Sequence, residues 1–326
     1  MNTLYPLKFE PILKDKIWGG ARLKNILNKS GASEKCGESW EISAVEGSIS
    51  IIRNGFLSGN NLQEVTEVYM GDLVGDKIYS RFGIEFPLLI KFIDANDILS
   101  VQVHPDDELA RLRHDAYGKT EMWYIIQAED NAELIAGFNR ELDRETYLRH
   151  LQSKTLKEIL NFEKVKEGDV FFTPAGRVHA VGAGILLAEI QQTSDITYRI
   201  YDWDRLDEKG NPRELHTELA LDALDFKHHD SYRTGYEAVM NLTTILADCE
   251  YFTTGLLHFN QPIEKDFHFI DSFVIYMCLE GQMDIHYGEG EPEKVRKGES
   301  VLIPAILKNI RLLPVETTRI LEVYVK

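Results

Sequence analysis

Cysteine is scarce, with three in 326 residues, Cys36, Cys249 and Cys278. So few, odd in number and scattered, they do not read as a disulfide framework, and a reducing cytoplasm suits them. Long apolar runs are also missing. No stretch is long enough to span a bilayer, and the opening MNTLYPLKFEPILKDKIWGG lacks the apolar segment of a secretory signal. Positive charge is in deficit, 36 Lys and Arg against 53 Asp and Glu, for a net charge of −17. That balance argues against nucleic acid or an anionic membrane as partner. An anionic small substrate would need a local cluster of Lys and Arg. What is there is an ordinary soluble mixture, 44% hydrophobic and 27% charged, long enough for a sizeable core and two domains.

The stretch that organises the chain is Leu99–Asp107, LSVQVHPDD. Ser100, Gln102 and His104 alternate with Leu99, Val101 and Val103, the period of a half-buried strand. One face therefore carries a hydroxyl, an amide and an imidazole in a row, and Pro105 ends the strand. Gln102 and His104 project from the same face, close enough to share one ion.

Around it, short apolar runs broken by Gly, Asn and Ser predict β structure over residues 5–59, with Trp18 and Trp40 as packing residues. Helical spacing marks 60–82, where Asn60 or Asn61 can cap. PLLIKFI, residues 87–93, reads as a buried strand carrying one cation, Lys91, which either snorkels to a rim or faces a pocket beside Ser100. Residues 140–162 read as a short helical insertion, with Thr155 and Glu158 as a capping box. A helix is expected over 212–226 and a linker over 228–236.

The C-terminal part repeats the earlier one. Gly168 and Pro174, with five residues between, recur as Gly298 and Pro304, and two hairpin runs align once the insertion is allowed for. In that alignment Asn309 takes the place of His179 and Asp271 that of Glu121. The expected division is 1–240, a metal-binding catalytic unit, and 241–326, a degenerate copy.

Gln102, His104, Glu121 and His179 in the first copy are candidate metal ligands. Two imidazoles, one carboxylate and one amide oxygen suit a single divalent ion, zinc first, with Mn, Fe or Co as substitutes. One carboxylate against a 2+ ion leaves net positive charge, so the ion stays a useful Lewis acid.

The spacing from Gly168 to His179 resembles the second motif of the cupin barrel. With PLLIKFIDANDILSVQVHPDD, KTEMWYII, GDVFFTPAGRVHAVGAG and EIQQTSDITYRIYDWDR, the chain resembles the type I mannose-6-phosphate isomerases (phosphomannose isomerases) in their short bacterial form. WGG at Trp18 and GESWEIS at Trp40 extend the likeness from about residue 5 to the end. The resemblance implies a mainly β fold of two cupin jelly-roll β-barrels with a short helical insertion and a few flanking helices. It implies that Gln102, His104, Glu121 and His179 hold the metal. Lys119, Arg199 and Asp195 fall at active-site positions, and Ser100 and Lys91 at pocket-lining ones.

The implied reaction interconverts mannose 6-phosphate and fructose 6-phosphate through an enediol. An electrophile on the two oxygens and a positioned base are what that chemistry needs. Arg199 would steady the enediolate, and Lys119 or Asp195 would move the proton. An Asp195–Arg199 salt bridge is the bland alternative for that pair. Lys91, Lys119 and Arg199 would give the phosphate a cationic seat. Gly118-Lys119-Thr120-Glu121 departs from the long forms, which have His-Lys-Pro-Glu there, so no residue carries that His role. Rival readings are an isomerase or epimerase on another sugar phosphate, a non-catalytic sugar-phosphate-binding cupin, and an iron-dependent cupin dioxygenase. A monomer or homodimer in the cytoplasm is expected.

Overall fold

The computed structural model describes residues 3–206 and 210–326. The chain is mainly β, with twenty strands in four sheets among the described residues. The first sheet places Ile12–Gly20, Cys36–Ile42, Leu88–Ala95, Ile185–Gln192, Glu121–Ala128 and Val170–Thr173 side by side in that order. Every residue of Leu88–Ala95 and Ile185–Gln192 is buried, although Lys91, Asp94, Glu189, Gln191 and Gln192 interrupt their apolar runs. A second sheet orders Tyr198–Tyr201, Val101–Val103, His179–Ala180, Glu133–Phe138 and Leu160–Lys164.

Two further sheets come from residues 243–324. One runs Thr243–Asp248, Thr253–Phe259, Thr318–Tyr324, Val274–Glu280 and Ser300–Ile303; the other runs Ile263–Asp266, Asn309–Pro314, Gln282–Tyr287 and Glu293–Arg296. One apolar core spans both halves, with Phe86 and Phe273 rings 4.4 Å apart. The chain's first residues join it: Leu7 exchanges backbone hydrogen bonds of 2.8 and 2.9 Å with Leu302.

The strand register corrects one position of the internal repeat. Glu121 lies opposite Thr173, five residues after Gly168; Val274 lies opposite Ile303, five after Gly298. Val274, not Asp271, therefore stands where Glu121 does. Asp271 instead accepts the N–H groups of Asp76 and Lys77 at 2.9 and 3.1 Å, closing the start of helix Asp76–Phe82. Asn309 keeps its equivalence: it pairs with Asp266 as His179 pairs with Gln102.

Several helical expectations shorten. Residues 60–82 form three helices, Leu62–Tyr69, Gly71–Val74 and Asp76–Phe82. Asn61 makes the capping box with Glu64. The breaks fall at Met70 and Gly75, both at positive φ, and a Cβ at Gly75 would meet the Asp271 carbonyl at 2.4 Å. In the insertion, Asp143 caps Arg144–Gln152, and only a 3-10 turn follows at Leu156–Glu158. Thr155 makes no capping box, because its hydroxyl bonds His150 Nδ1 at 2.8 Å. Leu160 belongs to a strand rather than to the insertion's helix. The helix expected over 212–226 is confined to Thr217–Ala223. Residues 228–236 are pinned, with Tyr232 donating to Phe138 O and Tyr236 to Gly168 O.

Candidate active site

Val101–Val103, from the LSVQVHPDD stretch, is the second of the five strands of the second sheet. Gln102 faces Arg199 on one neighbouring strand and His179 on the other. His104 follows the strand directly, and Pro105 turns the chain into helix Asp107–His114, which Asp106 caps by accepting from Leu109 N at 2.9 Å. Across the gap between the sheets, Glu121 opens a strand of the first sheet. Its approach is fixed from behind: Gln192 accepts from Thr120 N at 2.8 Å, and Asp107 accepts from Gly118 N at 2.8 Å and Gln192 Nε2 at 2.9 Å. His179 follows the Pro-Ala-Gly turn. There Gly176 has φ 88°, donates to His104 O at 2.9 Å, and would bring a Cβ within 2.9 Å of Ala223 O.

These elements bring His104, Glu121 and His179 together, fully buried, with one ligand atom of each within 4.8 Å of the others. Each imidazole bonds a backbone carbonyl through Nδ1: His104 to Ile196 O at 2.8 Å, His179 to Arg177 O at 2.9 Å. Donation there leaves both Nε2 lone pairs aimed inward. Burial, then the Lys119 charge, pushes His179 down to about 3 and holds His104 well below its ordinary range. Both rings are therefore neutral, the form that binds metal.

Glu121 supplies the opposite charge. Its Oε2 takes the Lys119 ammonium at 2.5 Å, and Lys119 also lies 3.0 Å from His104 Nε2. Its Oε1 is buried, with no hydrogen-bond partner among the described residues, and faces His179 Nε2 at 3.3 Å. Two lone-pair-bearing atoms turned toward each other inside a protein repel unless a proton or a metal ion lies between them. Burial pushes Glu121 up to about 7 against the pull of Lys119. Gln102 Nε2 lies 3.3 Å from His179 Nε2, so its amide group reaches the same centre. This donor set fits a divalent ion.

Beside it lies a cavity of about 300 Å³, within the range of small-molecule sites. Ser100, Lys91, Lys119, Asp195, Thr197 and Arg199 all line it. Lys91 does not snorkel to a rim. It is buried, bonding Glu189 at 2.8 Å and Gln191 at 2.6 Å. No ion pair joins Asp195 to Arg199 among the described residues, and Asp195 is exposed. Arg199 is steadied from outside: its backbone N–H donates to His216 Nδ1 at 3.1 Å and one guanidinium nitrogen to Glu214 O at 2.9 Å. Its Nε is buried, with no hydrogen-bond partner among the described residues.

Sequence reasoning missed part of this lining. Glu189 is buried between Lys91 and the Trp123 indole, which donates at 2.9 Å. Burial raises its pKa, but Lys91 and Lys119 outweigh that and hold it at about 2. An acid inside the apolar run LLAEIQQ was the available signal. Lys14, Lys16, Glu38 and Arg213 also reach the cavity. Trp18 and Trp40, expected as packing, are buried and line it as well.

Comparison with known proteins agrees with this architecture. A family model described as "Phosphomannose isomerase type I, catalytic domain" matches residues 6–136, and "Mannose-6-phosphate isomerase, cupin domain" matches residues 241–318. The chain is 36% identical over 316 residues to mannose-6-phosphate isomerase ManA of Bacillus subtilis, covering 95% of this chain and 96% of that one. It is 35% identical over 305 residues to mannose-6-phosphate isomerase of Streptococcus mutans, covering 93% and 94%. The crystal structure of the Bacillus subtilis mannose 6-phosphate isomerase superposes with a TM-score of 0.89 at 33% identity, over 98% of this chain and 99% of that one. On these likenesses, spanning nearly the full length, the chain belongs to the type I phosphomannose isomerase family.

Proposed function

We propose that this chain interconverts mannose 6-phosphate and fructose 6-phosphate in the cytoplasm, using one divalent ion held by Gln102, His104, Glu121 and His179. Zinc is the first choice, because two neutral imidazoles with one carboxylate match its preferences. The observation that carries the reading is the cluster of His104, Glu121 and His179 at a cavity lined by Lys119, Arg199 and Asp195.

When bound, the ion supplies Lewis-acid polarisation of the substrate oxygens. The chain's own groups do the rest. Isomerisation takes a proton from C2 of the aldose and returns one to C1, while a hydroxyl proton passes from O2 to O1. Arg199 brings a guanidinium that stays charged at working pH and can stabilise enediolate charge without exchanging protons. Asp195 is the candidate base, a carboxylate with no hydrogen bond or ion pair among the described residues. Lys119, held between Glu121 and His104, is the candidate shuttle for the hydroxyl proton. Ser100, buried on the cavity wall, orients the sugar.

The experiment is a coupled assay of fructose 6-phosphate formation from mannose 6-phosphate, with and without a chelator. Turnover that the chelator abolishes and metal restores is expected. Absence of turnover from metal-replete protein would overturn the reading.

A further inference from the structure

The cavity lining carries six cations, Lys14, Lys16, Lys91, Lys119, Arg199 and Arg213, against three acids, Glu38, Glu189 and Asp195. Most of the cations are already matched. Lys91 pairs with Glu189, Lys119 with Glu121, Lys16 with Glu38 at 3.0 Å, and Arg213 with Asp202. Lys14 and Arg199 alone have no carboxylate within ion-pair distance among the described residues.

Lys14 is held in an unusual seat for a lysine. Its ammonium lies 3.3 Å from the centre of the Trp40 ring and 3.3 Å from Ser48 Oγ. The facing Glu38 is spent, since it accepts from the Trp40 indole at 2.6 Å and pairs with Lys16. A cation over an aromatic face is attracted to it but keeps its outward side for an anion. Burial, against the pull of Glu38, holds Lys14 below its ordinary pKa, so an arriving dianion relieves it.

Position separates the two free cations. Arg199 stands opposite Gln102, at the metal end. Lys14 lies on the edge strand of the first sheet, four strands from the strand that Glu121 opens. The substrate has the same polarity, with its reacting carbons at one end and its phosphate at the other.

We propose that Lys14, seated on Trp40 at the edge of the cavity away from the metal ligands, binds the phosphate of the substrate. Lys91, which the sequence suggested for that task, is taken by Glu189 and Gln191 and holds the sheet interior together instead. The proposal rests on the isomerase reading above and assigns its anion end.

The test uses the metal-replete full chain and Lys14→Met and Lys14→Gln proteins, with inorganic phosphate as the probe. In both variants KM for mannose 6-phosphate should rise about 10- to 100-fold, as expected for loss of a charge-assisted contact. kcat should change far less. Competitive inhibition by inorganic phosphate, and its calorimetric binding, should weaken in parallel, whereas Lys14→Arg should retain both. A purely packing role on Trp40 would leave phosphate binding untouched. Unchanged KM and unchanged phosphate inhibition in both variants would overturn the seat. Failure of the wild-type protein to turn over mannose 6-phosphate would overturn the isomerase reading instead.

Discussion

Gln102 and His179 face each other in the register of neighbouring strands, with their Nε2 atoms 3.3 Å apart. The amide donates to the imidazole in that pose, so presenting its oxygen to a cation requires a half-turn about the last side-chain bond. Gln102 is accordingly the weakest of the four expected ligands. Gln102→Ala should lower metal affinity while leaving activity recoverable with excess metal. His104→Ala and His179→Ala should lose stoichiometric metal outright. Metal analysis after dialysis decides, and full occupancy in both His variants would sink the ligand assignment.

Acid should act on this centre twice. In the metal-free chain, His104 and His179 are held neutral below their unfolded value near 6.5, and Glu121 is raised to about 7. Between about pH 4.3 and 6.5 the unfolded state therefore binds two imidazole protons that the folded state lacks. The folded state binds one carboxyl proton that the unfolded state lacks. The net is one proton on the unfolded side, so stability falls with acidification by about 1.4 kcal/mol per pH unit. Metal binding must also displace the Glu121 proton, so affinity should fall about tenfold per unit below about pH 7. Urea unfolding and metal titration of chelator-treated protein at pH 5 to 8 measure both. A pH-independent metal affinity would contradict the assignment.

Arg199→Ala should bind metal normally, bind substrate within about tenfold, and lose roughly 100- to 1000-fold in turnover, the usual effect of deleting one oxyanion donor. Arg199→Lys should not rescue it, because a point charge cannot reproduce the guanidinium fork. An intact kcat with a raised KM would make Arg199 a ground-state binder.

The C-terminal sheets should carry no chemistry. Asn309 is exposed, and the apolar Val274 stands where Glu121 is acidic. Asn309→Ala should leave turnover at the wild-type level. Asp271→Ala should cost about 1 kcal/mol by uncapping Asp76–Phe82, again with unchanged kcat. Thermal melts beside steady-state assays separate the two effects. A many-fold loss of turnover in folded, metal-loaded Asn309→Ala would show that these sheets take part.

What the sequence made legible was local. Gln102 and His104 stood out because a period-2 strand ended by Pro105 needs only nearby residues to be recognised. Glu189 and Lys14 did not, since each gains meaning from partners on other strands: Lys91 is 98 positions away from Glu189. The misplaced Asp271 has the same cause, because linear alignment cannot see that Val274 pairs with Ile303. Helix Asp107–His114 went unread because only Ala110 is buried along it, leaving no apolar stripe to detect.

The backbone link between Leu7 and Leu302 also sets a timetable for synthesis. The segment leading into strand Ile12–Gly20, which bears Lys14, leaves the ribosome well before its partner, which lies 295 positions later at Leu302. At 5–20 residues per second, that wait is roughly a quarter of a minute to a minute. Through that interval the nascent chain carries an edge strand whose leading segment lacks its final anchor, and such edges invite foreign pairing. Slow translation of the residues between Leu7 and Leu302 would prolong the exposure, and chaperone dependence of this enzyme should track it.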